Sequence, residues 1–332
     1  MSYYPEFAGP FAVLLRELQG RRVAVIGHQR PDGDCIGSQV ALTRALRARG
    51  IDALAINPDP VPRRIRFLLG DTPFFQRDEL AHDGRIAVFT DCADQGRAGE
   101  KMRALYPEAF AAIDHHLSNG GFALHNFVDT KSAATAEMLA GMLLDAGLPI
   151  DPTSAQALYT GIMTDTGQFR FASTSQRVFT LAGELLARGA NPAQAGQELY
   201  ERESFGKLKL LQHFIGSLRF ECGGRVCIGV LPHGIFEQVG ASVEDTEGLV
   251  DYARSLDGVA IGALIEERPG VIKASLRAQA NVYRVDSIAA QFNGGGHASA
   301  AGLNFPDTLD RFYPKLVAAF AQRLKEIDGR TA

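Results

Sequence analysis

The sequence predicts an α/β protein: an N-terminal parallel-sheet domain flanked by helices, a linker helix, and a smaller C-terminal α+β domain, with a cleft between the two domains. Three observations carry that expectation. Short apolar runs alternate with helical periods through the first half of the chain, the pattern of strands covered by helices. Beyond the middle, the texture changes to hairpin-like strands around glycine turns. The length, 332 residues, is too great for one ordinary core and comfortable for two.

Residues 22–27 (Arg-Val-Ala-Val-Ile-Gly) form the first buried-strand run. Apolar positions Ile36, Val40, Leu42, Ala45 and Leu46 then fit a helix ending near Gly50. Residues 51–56 make the next strand, after which Pro58, Pro60 and Pro62 break the pattern. Residues 86–89 and 110–113 are further buried strands. Helical periods return at 136–144 and at Ala155, Leu158, Tyr159 and Ile162. Asn191-Pro192 is a helix start, a cap followed by proline in the first turn. With Ala195, Leu199, Leu208 and Leu211 it predicts a connecting helix over 191–213, between domains at 1–190 and 214–332. In the second domain, 218–220 and 225–231 flank Cys222-Gly223-Gly224 as a hairpin. A helix through Leu249, Tyr252 and Leu256 follows, then strands at 259–266 and 271–276 around Arg268-Pro269-Gly270.

Composition limits the partners. Lys plus Arg is 34 against 38 for Asp plus Glu, a net charge of −4, whereas proteins that grip long duplex nucleic acid carry a basic excess. A small anionic substrate held by metal and local cations remains compatible with that balance. The N-terminus has neither the basic nor the apolar region of a signal peptide, and no apolar run approaches bilayer-crossing length. The expectation is a soluble, cytoplasmic protein without a membrane partner and with reduced thiols.

The chemistry lies in where acids and histidines fall. His28, Asp32 and Asp34 follow the first strand; Asp91 and Asp94 follow the strand at 86–89; Asp114, His115 and His116 follow the strand at 110–113; Asp165 comes after the helix around Tyr159. Loops at the carboxyl ends of parallel strands converge on one edge, so these groups can share a cleft. A lone Asp-x-Asp is ordinarily a turn or helix cap, and a lone His-His pair is equally weak; the conjunction of four clusters carries the inference. Carboxylates with one imidazole per ion favour Mn²⁺, with Mg²⁺ as the alternative, over a thiolate zinc site. Two divalent ions ~3.5–4 Å apart can activate water and stabilise a leaving oxygen at phosphorus. A second signal is Gly294-Gly295-Gly296-His297, where backbone N–H groups can approach an anion closely, and the small residues that follow are expected to open a helix whose dipole adds to that attraction. In isolation such a run is a flexible turn. Lys273, Ser275 and Arg277 alternate along a strand and share a face, an anion-binding wall if His297 lies beside them and a solvated edge otherwise.

Together, the Asp114-His115-His116 run, the His28/Asp32/Asp34 loop and the Asp91 loop resemble the DHH phosphoesterase superfamily. Gly294-Gly295-Gly296-His297 resembles the signature of its DHH-associated C-terminal domain. The resemblance spans about residues 10–325, and the length is most like that of the bacterial oligoribonucleases (nanoRNases) that also dephosphorylate 3′-phosphoadenosine 5′-phosphate. It implies that His28, Asp32 and Asp91 hold one metal and that Asp34, Asp91, His115 and Asp165 hold the other, with Asp91 bridging. It further implies that His116 contacts the scissile phosphate, that Asp114 orients a histidine or the water, and that Ser132 and Thr135 lie near substrate. Arg277 and His297, with Lys273, Ser275 and Gly294–Gly296, would bind another phosphate from the opposite domain. Arg277, counted with Asp91, Asp114 and His116 as catalytic, would join His116, His297 and the metals in offsetting charge that develops on the phosphoryl oxygens. The implied reaction is hydrolysis of short oligoribonucleotides to nucleoside 5′-monophosphates by a two-metal activated hydroxide, with homodimer formation left open.

Competing readings are a cyclic di-AMP phosphodiesterase and a non-catalytic nucleotide sensor. A family pyrophosphatase would lack Gly-Gly-Gly-His, and the family's single-strand DNA exonucleases are longer. Cys35 and Cys92 each follow an expected ligand, but hard metals do not select sulfur, so both are expected to be small buried residues. His82, His125, His213 and His233 are expected on the surface or in turns.

Overall fold

The computed structural model describes residues 2–79 and 84–329, which form two compact units meeting between Arg202 and Glu203. His82 lies outside the described residues. The first unit is built on six parallel strands: β1 (Arg22–Ile26), β2 (Asp52–Asn57), β3 (Phe74–Gln76), β4 (Ile86–Thr90), β5 (Ala109–Asp114) and β6 (His125–Val128). Their order is β3-β2-β1-β4-β5-β6, and all neighbours are parallel. The chain order reverses between β1 and β4, the topological switch point where open sheets of this kind collect ligands.

Both faces of this sheet are covered, so its central strands read as continuous apolar runs. Val23, Val25, Val88, Ala111 and Ile113 face one side, against α1 (Pro5–Glu17), α2 (Gly33–Ala48), α4 (Thr135–Asp145), α5 (Pro152–Asp165) and α6 (Gln176–Ala187). Ala24, Ile26, Ala87 and Phe89 face the other, against α3 (Glu100–Leu105) and the turns beside it. Helices α2, α4 and α5 meet closely: a Cβ on Gly161 would stand 2.7 Å from the Ala136 Cβ and 3.1 Å from an Asp34 carboxylate oxygen. That approach brings the start of α2, the start of α4 and the end of α5 to one place.

The segment 191–213 is not a single helix. Helix α7 (Pro192–Gly196) starts as expected from its Asn191 cap and runs into a π turn, Gln197–Glu201. Residues 202–204 leave the helix, and Ser204 caps a fresh one, α8 (Phe205–Gly216), accepting from the Lys207 N–H at 2.9 Å. The apolar positions belong to two cores: Leu199 packs in the first unit, Leu210 and Phe214 in the second.

The second unit carries β7 (Arg219–Glu221), β8 (Val226–Leu231), β9 (Ile261–Arg268), β10 (Val271–Ala278), β11 (Gly295–His297) and β12 (Ala300–Phe305), ordered β11-β12-β10-β9-β8-β7. Only β8 and β9 run parallel. One face packs on α11 (Val285–Ala290) and α12 (Leu309–Asp328), the other on α8, α9 (Ile235–Val239) and α10 (Leu249–Arg254). The glycine run does not open a helix. Gly295–His297 pairs with Ala300–Gly302 as a tight hairpin, and β12 continues as a partner of β10; sheet pairing overrides the helix propensity of the small residues. Among the described residues, no helix is long and apolar enough to cross a membrane.

Candidate metal centre

The carboxyl ends of β1, β4 and β5 place their acids and histidines together at the switch point. His28 follows β1 by one residue beyond Gly27, Asp91 follows β4 directly, and His115 and His116 follow Asp114, the last residue of β5. Asp165 arrives differently: it is the last residue of helix α5, not a residue of a loop beyond it. Asp91 takes a positive φ of 58°, a conformation uncommon for residues with side chains and tolerated best by Asp and Asn. Its two oxygens face two ways. Oδ2 lies 3.2 Å from His28 Nε2, while Oδ1 lies 3.6 Å from His115 Nε2 and 3.6 Å from His116 Nδ1. Around it, His28 Nε2 is 3.9 Å from Asp32 Oδ1, and His115 Nε2 is 3.4 Å from Asp165 Oδ2 and 3.9 Å from Asp34 Oδ2.

Backbone carbonyls fix the rings. His28 Nδ1 donates to the Gln29 carbonyl at 2.8 Å, and His115 Nδ1 to the Ser132 carbonyl at 3.3 Å, since a carbonyl only accepts. Both rings thereby turn Nε2 toward the carboxylates, the tautomer and orientation of a metal-ligating histidine. His116 is held through Nδ1 by Asp114 Oδ1 at 2.7 Å, and Asn119 donates to Asp114 Oδ2 at 2.8 Å. Burial alone would raise the Asp114 carboxyl; these hydrogen bonds outweigh it and hold the group below the usual carboxylate range.

The other buried acids go the opposite way. Burial pushes Asp91 well above the usual range, with Asp34, Asp32 and Asp114 adding repulsion. Burial likewise raises Asp165, again reinforced by Asp34, Asp32 and Asp91. Asp34 is raised by burial, with His115 opposing. The ion pairs of Asp32, Asp34, Asp91 and Asp165 are all to imidazoles, with no Lys or Arg among them in the described residues. Convergent carboxylates, Asp34 and Asp91 buried among them, that pair with imidazoles and with no Lys or Arg in the described residues fit hard divalent cations. Cys35 Sγ lies within 4.8 Å of the His28 and Asp91 donor atoms. Burial pushes its thiol up to about 11, and Sγ donates to Gln39 Oε1 at 3.8 Å, so it stands as a protonated thiol.

Several of these side chains also build the fold. Asp32 caps α2, accepting from the Cys35 N–H at 3.0 Å. Asp34 accepts from Thr135 and Ala136 N–H, both at 2.7 Å, and so caps α4 from a neighbouring helix, where Ala134 supplies no side-chain cap. Asp94 does not join the cluster; it caps the turn Gln95–Ala98 through the Arg97 N–H. Ser132 and Thr135, expected beside substrate, are buried supports. Thr135 Oγ1 donates to Asp91 Oδ1 at 3.1 Å. The Ser132 hydroxyl donates to Asp129 at 2.7 Å and is shared with Tyr4 Oη at 2.8 Å and Arg177 Nη2 at 3.0 Å.

That last contact belongs to a clamp the sequence did not disclose. Arg177 of α6 reaches Glu137 Oε1 at 2.7 Å and Asp129 Oδ2 at 3.1 Å, with its guanidinium 4.3 Å from the Tyr4 ring centre. Glu137, wholly buried, accepts from the Ala133 N–H at 2.6 Å. The clamp holds residues 129–137, which supply the carbonyl for His115, the hydroxyl for Asp91 and the N–H groups for Asp34. Glu137 alone left a signal, a charge inside an apolar helical run.

In the second unit, Arg277 and His297 lie opposite Ala300 from either side of β12, and Ser275 and Gly295 lie opposite Gly302, so the four share one face of the sheet. Gly296 and His297 are exposed, while Gly294 is half-buried and its N–H closes a turn onto the Ala289 carbonyl at 2.9 Å. Burial pulls the Arg277 guanidinium down from its ordinary value. Lys273 on the same face is engaged elsewhere. Its Nζ pairs at 2.8 Å with the buried Glu266, which Arg268 also engages at 2.6 Å. His125 is not a surface or turn residue but lies half-buried on β6, with Nε2 2.8 Å from Glu17 Oε2.

Comparison with known proteins fits this geometry. Residues 22–162 match the model of the DHH family N-terminal domain, and residues 223–327 match the DHHA1 domain. A Thermus thermophilus protein named bifunctional oligoribonuclease and PAP phosphatase NrnA is 32% identical over 315 residues, covering 94% of this chain and 93% of that one. A Bacillus subtilis protein of the same name is 26% identical over 300 residues, covering 87% and 91%. The crystal structure of an exopolyphosphatase-related protein from Bacteroides fragilis shares the fold, with a TM-score of 0.87 at 23% identity over 97% of this chain and 96% of that one. With its buried Asp/His cluster at the switch point of the first sheet, its glycine-histidine hairpin in the second and relatives matched nearly end to end, the chain belongs to the DHH family, a DHH domain followed by a DHHA1 domain.

Proposed function

We propose that the protein hydrolyses short oligoribonucleotides to nucleoside 5′-monophosphates and removes the 3′-phosphate of 3′-phosphoadenosine 5′-phosphate. The observation that carries this is Asp91, one oxygen turned to His28 and the other to His115 and His116, inside a cluster of acids whose ion pairs in the described residues are all to imidazoles. The names of the matched relatives supply the substrate class.

His28, Asp32 and Asp91 would hold one divalent ion; Asp34, Asp91, His115 and Asp165 would hold the second. Mn²⁺ suits the donor set best, with Mg²⁺ as the alternative. Bound there, such ions supply Lewis acidity toward the phosphoryl oxygens and a water nucleophile at neutral pH. The chain does the rest. Asp114 fixes the His116 ring through Nδ1, so that the opposite edge of the imidazole is presented to a phosphoryl oxygen where negative charge grows. Asp91 is oriented by Thr135, and Asp34 by the first N–H groups of α4. Arg277 and His297, on their common face, take a further phosphate of the substrate, and the acidic balance of the chain suits short, diffusible nucleotides.

The test is a ranking of kcat/KM with Mn²⁺ for di- to pentaribonucleotides, 3′-phosphoadenosine 5′-phosphate and cyclic di-AMP. The shortest linear substrates and 3′-phosphoadenosine 5′-phosphate are expected to lead. A preference for cyclic di-AMP would move the assignment to a cyclic-dinucleotide phosphodiesterase, and binding without hydrolysis of any substrate would make the protein a sensor.

A further inference from the structure

The Asp/His cluster is suited to a phosphate; a nucleotide also carries a base. The segment immediately after Asp165 has the features of a surface for one. There the chain turns through three consecutive residues with positive φ, Gly167 at 54°, Gln168 at 62° and Phe169 at 63°. Two of them bear side chains, for which this conformation is unfavourable and persists only where the surroundings over-determine it. Thr166 is what holds it. Its buried hydroxyl donates to the Ile162 carbonyl at 2.6 Å and accepts from the Phe169 N–H at 3.0 Å, while its carbonyl accepts from Arg170 and Phe171 N–H, both at 3.0 Å.

The turn sends its two phenylalanines to different places. Phe169 is half-buried, its ring 5.8 Å from that of Tyr159 and stacked on Phe179 at 5.6 Å. Phe171 lies across Gly167, so close that any Cβ there would collide with the ring, yet it remains 52% exposed. A single exposed Phe needs no explanation in general. This one is held by a strained, internally bonded turn, six residues past a carboxylate of the metal cluster. Beside it stands the exposed Arg170, its Nε donating to the Gly167 carbonyl at 2.8 Å.

We propose that Phe171 is the platform on which a nucleobase of the substrate stacks, with Gly167 and Thr166 as the residues that position the ring; the proposal rests on the nucleotide-hydrolase function given above. Stacking on an aromatic face tolerates any base, as a hydrolase of mixed short oligonucleotides requires.

The chain has no tryptophan, so Phe171→Trp installs a single fluorophore at the platform. Titrating that variant, Mn²⁺-loaded, with a 5′-phosphorylated diadenylate should change Trp emission, and ribose 5-phosphate, which has no base, should not. In parallel, Phe171→Ala should reduce the preference for the diadenylate over the same dinucleotide with abasic sugars by about 5- to 150-fold in kcat/KM, and Phe171→Trp should restore it. An unchanged preference in a Phe171→Ala protein of wild-type circular dichroism and Tm overturns the platform, as does Trp emission insensitive to the diadenylate. If wild-type protein hydrolyses no short oligonucleotide while Trp emission still responds to the base, the platform stands and the proposed reaction falls.

Discussion

Asp91 concentrates the chemistry of the centre in one carboxylate. It is buried, takes left-handed backbone geometry, and sits among acids that raise its proton affinity. Without metal it is therefore a source of repulsion, and on the proposed assignment it would be the ligand that two ions share. Asp91→Asn keeps the shape and the contact with Thr135 while removing the charge. It should abolish turnover and leave the metal-free Tm unchanged or higher. Wild-type protein at Mn²⁺ 100-fold above Kd should gain about 2.7 kcal/mol per site, a gain thermal melts of Asp91→Asn should lack. Normal turnover in the folded, Mn²⁺-treated variant would refute the site. Arg177 acts at one remove. Arg177→Met leaves Glu137 buried and unpaired, a loss of about 3–5 kcal/mol, so the informative protein is Arg177→Met/Glu137→Gln. Calorimetric titration of that double variant should show Mn²⁺ affinity lower by about 10- to 100-fold, whereas wild-type affinity would reduce the clamp to a packing feature.

At the scale of elements, α2 and α5 are tied by charge as well as by close packing. Arg44 of α2 donates to Asp151, the cap of α5, at 2.5–3.1 Å and to Asp71 at 2.5 Å. Burial alone would raise Asp151, but the Arg44 and Ser154 hydrogen bonds outweigh it and hold the carboxyl low. A carboxyl lowered in the folded state contributes stability above its unfolded value, about pH 4, and that contribution is lost as pH falls through the folded value. Thermal melts from pH 6 to pH 2.5 should show this loss in wild type. Asp151→Ala should start about 1–2 kcal/mol less stable, through the missing cap, and lose correspondingly less on acidification. The elements legible in the sequence were those with a one-dimensional signature. β1, β2, β4 and β5 are apolar on both faces and read as unbroken runs. β3 and β6 did not read so: one has three half-buried residues, and the other carries His125 and Asn126. The glycine-histidine hairpin gave no strand signal because its pairing with β12, and through β12 with β10, is non-local. His28, Asp91, His115 and His116 were legible because strand ends punctuate the sequence, whereas Asp165 closes helix α5; the clamp was not, because Tyr4, Glu137 and Arg177 meet only through the fold.

For the whole molecule, the two units divide the work between charge types. The clustered acids lie in the first; the shared face of Arg277 and His297 lies in the second. Arg277→Ala and His297→Ala should weaken substrate binding by about 1.5–3 kcal/mol for each charged hydrogen bond lost, seen as a raised KM with kcat and Mn²⁺ affinity retained. A kcat loss matching that of Asp91→Asn would instead place them at the reacting phosphate. The division also has a temporal side. Asp165 is the last metal-cluster residue along the chain, so every donor, and within a dozen more residues Arg177, has been synthesised before any residue of the second sheet. At ordinary elongation rates the remainder of the chain takes on the order of 10–30 s to follow. On the proposed assignment, a nascent chain on the ribosome would thus hold every proposed metal ligand long before the face proposed to take substrate, so that cation capture would precede folding of the second unit.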